Sequence, residues 1–506
     1  MNWKLIIKVL GILLGIEAGL LTICALVGVY YRDCIMPFVW PALIAASLSA
    51  LSIVTCFKSG TNMGRKDGYL IVSLVWVVYS FVGMLPFLFS GTVSDVASAY
   101  FETMSGFTST GATIIDNCDI QPRSILFWRS LAQWIGGIGI IFFTIAILPA
   151  FGIGEVKLFA AESTGPFHDK VQPRISVAAR WIGGVYVGIT TLCFLSLWVC
   201  GMSKFDAINF SFATTATGGY ATHSDLLHNV YHSAAIEYVL IFFMFISGMN
   251  YTLIYYSLLR GRIKRLWHDA ELRCYVIIIL GIALICTITL VCNRMEWEHV
   301  DTSSASAFFS TLELSLRESL FTVIALQTTT GLANCDYTVW PTALMPLLLF
   351  VMFAGACSGS TSSGFKCVRW SIVWRMVVNE IKHILHPRAV LPIRLNGNII
   401  PTSSVQTLFA FSALFIGAIF LGAFILALSG VSPTAPRQQF AYYEALGLAL
   451  SSISNVGPGM GYYGPLHSWA ILSPFAKWTC SALMLIGRLE IFPILIIFTH
   501  SFWKKG

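Results

Sequence analysis

Charged residues are scarce in this chain of 506 residues: Asp, Glu, Lys and Arg make up 11% of it, against about 25% in a typical soluble domain. The sequence also contains no Cys-x-x-Cys pair and no His-Glu-x-x-His pattern. The shortage of charge excludes a soluble protein with a large core, and the missing patterns leave a structural metal or a redox centre without support. Hydrophobic residues make up 56% of the chain, so we predict a polytopic membrane protein.

Ten apolar segments are long enough to cross a bilayer, which takes about 20 helical residues. They lie near residues 5–29, 36–56, 68–90, 125–150, 176–201, 234–258, 273–293, 341–357, 403–430 and 470–499. The first segment begins beside Lys4 and Lys8 and stays apolar to Val29. It is too long for the core of a signal peptide, so we predict a helix that is retained.

Most of the basic residues, which give the chain a net charge of +7, are concentrated between alternate spans. They are Lys4, Lys8, Lys58, Arg65, Lys66, Lys157, Lys170, Arg174, Arg180, Arg260, Arg262, Lys264, Arg265, Arg273, Lys366, Arg369, Arg375, Lys382, Arg388, Arg394, Lys504 and Lys505. Because cytoplasmic loops are enriched in Lys and Arg, we predict that these segments and both chain termini are cytoplasmic. The distribution reflects membrane topology and does not indicate a nucleic-acid partner.

Four short polar segments with a central glycine each follow an apolar stretch that is too short to cross a membrane. They consist of Thr108, Ser109, Thr110, Gly111; Thr215, Ala216, Thr217, Gly218; Thr328, Thr329, Thr330, Gly331; and Ser454, Asn455, Val456, Gly457. Glycine adopts backbone conformations that other residues disfavour, and several such loops on one axis can replace the water around a cation with carbonyl oxygens. We therefore predict a selectivity filter in which the carbonyls of Thr110, Thr217, Thr330 and Val456 bind a dehydrated cation. Close helix packing through small residues is the alternative for any single loop.

The chain divides into an N-terminal two-helix hairpin and four repeats of span, short helix, loop and span. The predicted boundaries are 1–67 for the hairpin and 68–175, 176–272, 273–400 and 401–506 for the repeats, with a broken second span in the third. The short helices are predicted at 95–107, 205–214, 307–327 and 440–453. A helix of about 13 residues is about 20 Å long and reaches halfway through a bilayer, and the negative end of its dipole favours a cation at the loop. Half-helices of a secondary transporter are the alternative, but four copies in one orientation count against it.

These four loops, together with residues 354–366 (AGACSGSTSSGFK) and 487–493 (GRLEIFP), resemble the Trk/Ktr/HKT superfamily of potassium transporters over essentially the whole chain. The N-terminal hairpin resembles the TrkH branch more than the shorter KtrB branch. The resemblance implies an all-α polytopic membrane protein with fourfold pseudo-symmetry. Glycine at all four loop centres resembles the potassium-selective members, which implies that the cation bound by Thr110, Thr217, Thr330 and Val456 is K+. The fourth loop departs from the Thr-rich pattern at Asn455, Val456 and Pro458, which leaves the symmetry of that quarter open.

Residues 355–364 interrupt a span with three glycines and five Ser or Thr residues, and such a segment is tolerated in a membrane only where it is buried or lines water. The resemblance implies that this segment is a gate beneath the filter. The predicted gate residues are Gly355, Gly359, Gly364, Lys366 and Arg488. A charge at membrane depth, as predicted for Arg488, is costly and therefore indicates function. The alternatives are a kink that accommodates packing and an internal pair of Arg488 that only fixes the helices.

Asp116, Asp119 and Asp336 follow filter loops and are predicted to form an acidic outer mouth that concentrates cations, although solvated loop carboxylates are common. Cys118 and Cys335 both lie in Asn-Cys-Asp triplets, which leaves a disulfide open, but matching positions around a fourfold axis are far apart for one. The helical spacing of Glu380, His383 and His386 comes without a further ligand, so we do not predict a metal there.

The resemblance implies uptake of K+ across a bacterial inner membrane by a homodimer with a cytosolic, TrkA-like ring of nucleotide-binding regulatory subunits. The basic segments 260–273 and 382–394 are the predicted docking surfaces, and no bound cofactor is expected. The preference for K+ over Na+ stays open. The alternative is a carrier that couples K+ to Na+ or H+, which requires a buried carboxyl group; the candidates are Glu102, Glu237, Glu444 and Glu490. We find no catalytic dyad and no converging carboxylate pair, so we predict that the chain is not an enzyme.

Overall fold

The fold was analysed in a computed structural model, which describes residues 1–57, 64–142, 175–259, 261, 264–297, 305–389, 391–429 and 442–504. Among these residues the structure is helical, apart from one antiparallel pair of two-residue strands, β1 (Arg394–Leu395) and β2 (Asn398–Ile399). The predicted all-α class is confirmed. Of the basic residues predicted to be cytoplasmic, Lys58, Lys157, Lys170, Arg174, Arg260, Arg262 and Lys505 lie outside the described residues.

The N-terminal hairpin consists of α1 (Trp3–Tyr31) and α2 (Met36–Thr55), which pack against each other. Small residues make this contact close: a Cβ atom built on Gly11 would lie 2.5 Å from the Cβ of Ser52. In a membrane, helices associate through such close packing because lipid supplies no hydrophobic driving force between them.

Nineteen further helices follow in the part of the chain that the structure describes. They are α3 (Arg65–Gly83), α4 (Leu85–Phe89), α5 (Val96–Phe107), α6 (Arg123–Phe142), α7 (Ile175–Val199), α8 (Lys204–Thr215), α9 (Leu227–Tyr231), α10 (Ala234–Ser247), α11 (Tyr251–Ile254), α12 (Lys264–His268), α13 (Ala270–Trp297), α14 (Ala305–Gln327), α15 (Met345–Ala354), α16 (Cys367–Leu385), α17 (Thr402–Ser429), α18 (Tyr442–Ser454), α19 (Pro474–Arg488), α20 (Phe492–Ile497) and α21 (His500–Trp503). One π-helical turn (Tyr255–Leu259) and three 3₁₀ turns (Tyr337–Val339, Thr342–Leu344 and Gly461–Tyr463) complete the described elements.

Six described helices are long and apolar enough to cross a membrane, and a bent helix pair makes a seventh. The other three predicted spans, 125–150, 341–357 and 470–499, correspond to α6, to α15, and to α19 with α20, and residues 143–150 of the first lie outside the described part. Each of the ten predicted spans therefore coincides with at least one helix.

Two predicted spans are not continuous helices. The chain predicted to span at 234–258 bends by 99° between Ser247 and Tyr251, where the Asn250 side chain accepts hydrogen bonds from the N–H groups of the next helical turn. The span predicted at 470–499 breaks after Arg488, since Glu490 and Ile491 have φ angles of 57° and 62°. Residues other than glycine rarely adopt this left-handed region, so the break after Arg488 must be held by contacts, which are described below.

Candidate functional site

Four short helices, α5, α8, α14 and α18, each end at one of the predicted loops. The loops share one backbone path. At the same position of each loop, an N–H group donates to the carbonyl five residues earlier, over 2.8 to 3.0 Å. The donors are Thr110, Gly218, Thr330 and Val456, and the acceptors are Ser105, Ala213, Ala325 and Ser451.

The second loop lies one residue later than the sequence spacing predicts. A glycine with positive φ closes each loop: Gly111 (85°), Gly219 (76°), Gly331 (71°) and Gly457 (107°). Two residues earlier, each loop has a residue other than glycine at a φ of 52° to 56°, namely Ser109, Thr217, Thr329 and Asn455. The register predicted from Gly218 is therefore wrong by one residue. The sequence Thr217-Gly218 is the same as Thr110-Gly111, but the residue with positive φ in the second loop is the next glycine, Gly219.

The four loops contact one another in a closed ring. A Cβ atom built on Gly111 would lie 2.0 Å from the carbonyl oxygen of Gly218, and one on Gly219 would lie 1.8 Å from that of Thr330. The ring continues from Gly331 to the carbonyl of Val456 (2.0 Å) and closes from Gly457 to the carbonyl of Thr110 (2.7 Å). Each loop thus leaves room for a carbonyl of the next only because its own residue is glycine. These four carbonyls belong to Thr110, Gly218, Thr330 and Val456, so Thr217 is replaced by Gly218 in this set.

A buried ion pair lies behind the first and second loops. Arg129 donates from Nε to Glu102 over 2.8 Å, and both side chains are almost fully buried. Glu102 also accepts from the Ile114 N–H group (2.9 Å), and Arg129 donates to the carbonyl of Ala221 (3.2 Å). A buried charge pair is tolerated when further hydrogen bonds satisfy it. This one joins the segments that follow two neighbouring loops.

Gln133 on α6 holds the second loop from behind. Its amide Nε2 donates to the carbonyl of Gly218 over 2.7 Å, and its Oε1 accepts from the Tyr220 N–H group over 3.2 Å. The Gln133 carbonyl accepts from the hydroxyl of Ser109 (3.3 Å). One fully buried residue therefore fixes two loops, the second through its side chain and the first through its backbone carbonyl. Gln133 was missed in the sequence analysis because a single polar residue in an apolar span carries no pattern.

The fourth loop is tied to the first. Asn455 donates from Nδ2 to the hydroxyl of Thr110 (2.9 Å) and to the carbonyl of Met484 on α19 (3.0 Å). In the first and third loops, by contrast, paired threonine hydroxyls bond each other, Thr108 with Thr110 and Thr328 with Thr330, both over 2.8 Å. The unusual composition of the fourth loop thus supplies a contact between loops.

Residues 355–364 form a buried loop directly below the four loops. Thr361 donates to the carbonyl of Thr215 at the end of α8 (3.0 Å), and the N–H group of Ser363 donates to the hydroxyl of Thr329 (3.1 Å). Gly355 and Gly364 have φ angles of 66° and 80°, and a Cβ on Gly364 would lie 3.0 Å from the Cα of Gly355. The segment is therefore a closed hairpin whose base requires glycine on both sides.

Arg488 connects this loop with α6 and with the first of the four loops. Its Nη1 donates to the carbonyl of Thr361 (2.8 Å) and to the hydroxyl of Ser363 (3.1 Å). Its Nη2 donates to the hydroxyl of Ser109 (3.2 Å) and to the carbonyl of Gly136 (3.1 Å). The side chain is 2% exposed, and no described carboxylate lies within salt-bridge distance of it.

A second buried charge cluster fixes the end of the loop. Lys366 and Arg369 both donate to Glu490, over 2.5 and 2.9 Å. Glu490 lies just after α19 in the left-handed region, so the break in that span presents its carboxylate to the base of the loop. Arg488 thus contacts Thr361 and Ser363 inside the predicted gate segment, whereas Lys366 pairs with Glu490, a carboxylate that does not pair with Arg488.

A vestibule of about 130 Å³ lies on the other side of the ring. It is lined by the four loop glycines Gly111, Gly219, Gly331 and Gly457. Of the three predicted acidic residues, Asp116 lines it, whereas Asp119 and Asp336 do not. Asp225, His223 and His467 also line the vestibule and were not predicted, since no pattern distinguishes them from other loop residues. Asp336 instead caps the turn at Tyr337–Val339.

His223 contacts two carboxylates at the rim of this vestibule. Its Nδ1 lies 2.6 Å from a carboxylate oxygen of Asp119 and its Nε2 3.7 Å from one of Asp206. The carboxylates of Asp206 and Asp119 raise the pKa of His223 to about 9, although partial burial of the ring acts in the opposite direction. The imidazole is therefore a cation between two carboxylates at neutral pH.

Cys118 and Cys335 are free thiols with different neighbours: Cys118 accepts from Arg129, and Cys335 lies beside Thr322. Within the part of the chain that the structure describes, Glu380, His383 and His386 belong to no group that could hold a metal ion.

The geometry can be compared with known proteins. Residues 35–505 match the family model TrkH, described as a cation transport protein. The chain is 34% identical to the Trk system potassium uptake protein TrkH of Escherichia coli (strain K12) and 33% identical to that of Halomonas elongata, over 100% of both chains in each case. It is also similar to the crystal structure of the potassium transporter TrkH from Vibrio parahaemolyticus, with a TM-score of 0.87, 31% identity and full coverage of both chains.

Proposed function

Because this chain belongs to the TrkH family of cation transport proteins and is a potassium uptake transporter, we propose that K+ crosses the membrane through the ring of four loops. The closed ring of carbonyl-to-glycine contacts carries this proposal. It brings four equivalent carbonyls together at the ends of four half-helices, which is the arrangement that a dehydrated cation requires.

The proposed filter comprises the loop residues named from the sequence, with the second loop moved to residues 216–219. The carbonyls of Thr110, Gly218, Thr330 and Val456 are the proposed ligands. The negative ends of the four helix dipoles add attraction for a cation at the same place. The Gln133 amide, which donates to the Gly218 carbonyl, keeps the second quarter of the filter in place.

The proposed gate is the loop at 355–364 together with Arg488. The loop is buried beneath the filter, and the Arg488 guanidinium binds both the loop and the first filter segment. A fixed positive charge on a cation path raises the barrier to passage. Displacement of the loop would also move the Thr361 carbonyl and the Ser363 hydroxyl, which accept hydrogen bonds from Arg488, away from this side chain.

We further propose the bacterial inner membrane as the location, with both termini in the cytoplasm, and the division into a hairpin and four repeats given above. The basic segments support this orientation through the positive-inside rule. A homodimer and a TrkA-like cytosolic ring complete the proposal, with docking on segments 260–273 and 382–394, of which residues 260, 262, 263 and 390 lie outside the described part.

Coupling of K+ to Na+ or H+ remains the second candidate. Three of the four predicted coupling residues, Glu102, Glu237 and Glu490, are ion-paired. Glu17 on α1 is a different case. Both of its carboxyl oxygens are buried without a hydrogen-bond partner, and an unpaired buried carboxyl is a group that can take up a proton.

Flux into liposomes that hold the purified chain, at a clamped potential, tests both candidates. Voltage-driven K+ uptake without a second gradient, lost in Gly111→Ala and kept in Gly184→Ala, is the expected result. A Cβ on Gly184 would meet no atom within 4 Å, which makes it a matched control. Uptake that needs a proton or sodium gradient and disappears in Glu17→Gln would instead establish the carrier.

A further inference from the structure

A groove of about 570 Å³ lies between α13, α15 and α16, outside the filter and its gate. Arg273 and Ile277 line it from successive turns of α13, and Trp370, Trp374 and Arg375 from successive turns of α16. The Phe350 ring of α15 lies 5.2 Å from the Trp370 ring, tilted by 58° to it, and forms the third wall. The volume falls within the roughly 300–1,000 Å³ of small-ligand sites.

The groove lies at the ends of the spans that are remote from the vestibule. α13 starts at Ala270, whose carbonyl accepts from Ser371 of α16, and the next residue, Glu271, accepts from the Ser358 N–H group of the loop below the filter. Ile277 and Trp374 are each 69% exposed. The apolar wall is therefore open to the lipid.

Two guanidinium groups form the rim of this groove. Arg273 donates to the backbone carbonyls of His268 and Asp269, over 3.3 and 3.4 Å, and Arg375 donates to the carbonyl of Arg394. Neither has a carboxylate partner among the described residues. Guanidinium groups bind phosphate oxygens well because their N–H groups form a planar fork.

We propose that the groove binds one anionic phospholipid, with its phosphate at Arg273 and Arg375 and an acyl chain along Ile277 and Phe350. Basic sites between spans at the cytoplasmic surface suit such headgroups, and tryptophan is favoured at the membrane interface. A second copy related by twofold symmetry would present the same cationic patch to itself. The charges therefore favour the lipid. The proposal does not depend on the filter.

Native mass spectrometry of the full chain in neutral detergent, titrated with phosphatidylglycerol or phosphatidylcholine, tests the charged half of the site. We expect a preference for phosphatidylglycerol. In the double variant Arg273→Gln/Arg375→Gln this lipid should bind about 30-fold more weakly, the equivalent of about 1 kcal/mol for each charge. Lys4→Gln/Lys8→Gln removes two charges elsewhere and should retain binding. Equal binding of both lipids, or equal losses in both variants, would overturn the proposal.

Ile277→Trp tests the apolar half, since it fills the groove and leaves both guanidinium groups intact. Ile277→Trp should release the lipid without a change in melting temperature. Ile288→Trp, on the exposed face of the same helix, should retain the lipid. If Ile277→Trp changes the oligomeric state and leaves lipid retention unaffected, the groove is an interface between copies and the lipid proposal is wrong.

Discussion

Gly218 and Gly219 are neighbours in sequence but meet different surroundings. A Cβ on Gly219 would lie 1.8 Å from a backbone carbonyl at a φ of 76°, whereas one on Gly218 would meet the end of the Gln133 side chain, 2.4 Å away. A backbone atom cannot give way as a side-chain amide can. We expect Gly219→Ala to abolish most K+ flux, with strain of about 1–3 kcal/mol from the backbone alone, and Gly218→Ala to retain more.

The same liposome assay measures both variants, and folding is checked by the retention of a monodisperse species. If Gly218→Ala were the more damaging of the two, the register seen in the structure would be contradicted and the one predicted from the sequence restored.

His223 gives the rim of the vestibule a dependence on pH. Its folded pKa of about 9 exceeds the ordinary value of about 6.5. The stabilisation from its two carboxylates is therefore complete below about pH 6.5 and is lost as the pH rises through about 9. We expect the melting temperature of the wild-type chain to fall across this interval and that of His223→Gln to lack this decline. Parallel curves would show that the imidazole charge contributes nothing.

At the scale of elements, the break after α19 places the Glu490 carboxylate beside Lys366 and Arg369. Glu490→Gln removes the carboxylate and leaves two cations buried, so we expect a destabilisation of about 3–5 kcal/mol, measured by thermal or denaturant unfolding in detergent. Glu380→Gln, on the exposed part of α16, is the control and should change little. An unaltered unfolding midpoint for Glu490→Gln would mean that the loop base is held by other contacts.

For Arg488, the proposed gate leads us to expect a gain of K+ flux on substitution, and not a loss. At about 5 Å and an effective dielectric constant of about 20, the repulsion between this charge and a K+ ion is about 3 kcal/mol. We expect Arg488→Gln to raise K+ flux by about tenfold or more, measured in liposomes of equal protein content. Reduced flux in a folded variant would show that the guanidinium serves packing alone.

The sequence predicted helices better than their interruptions. Apolar length located ten spans, and the four short helices were predicted with ends close to those of α5, α8, α14 and α18. The bend after Ser247 and the break at Glu490 were not predicted, because both depend on partners distant in sequence: Gly248 packs against Tyr275, and Glu490 binds two residues more than 120 positions away. Local composition contains no record of such contacts.

For the molecule as a whole, the proposed orientation places the α1–α2 connection outside the cell. Cys34 lies in this connection and is exposed. We expect a membrane-impermeant maleimide to label it in intact cells and Cys34→Ser to lose this labelling. Lys8→Cys, near the other end of α1 and introduced together with Cys34→Ser, should add a label only after permeabilisation. The reverse pattern would invert the topology and with it the assignment of the vestibule to the outer side.

The site as a whole was only partly predictable. Four recurrent glycines indicated where the loops lie, since the need for positive φ limits the choice of residue. Their order of contact around the ring, and the supports Gln133 and Arg129 behind them, were not predictable because each is a single residue in an apolar span. Which loop contacts which, and which side chains support them, depends on how the helices are arranged in three dimensions.

Gly136 and Gly487 occupy similar positions, since a Cβ atom on Gly136 would lie 1.9 Å from the carbonyl oxygen of Phe107, and one on Gly487 would lie 1.8 Å from that of Ile453. Both carbonyls lie at the ends of the short helices α5 and α18. Arg488 therefore stands where the first repeat has Gly137. Four identical subunits would have to place either no arginine or four around the axis. A single chain that supplies all four loops is not bound by this restriction. The proposed barrier to K+ passage can therefore be adjusted by one positive charge, that of Arg488.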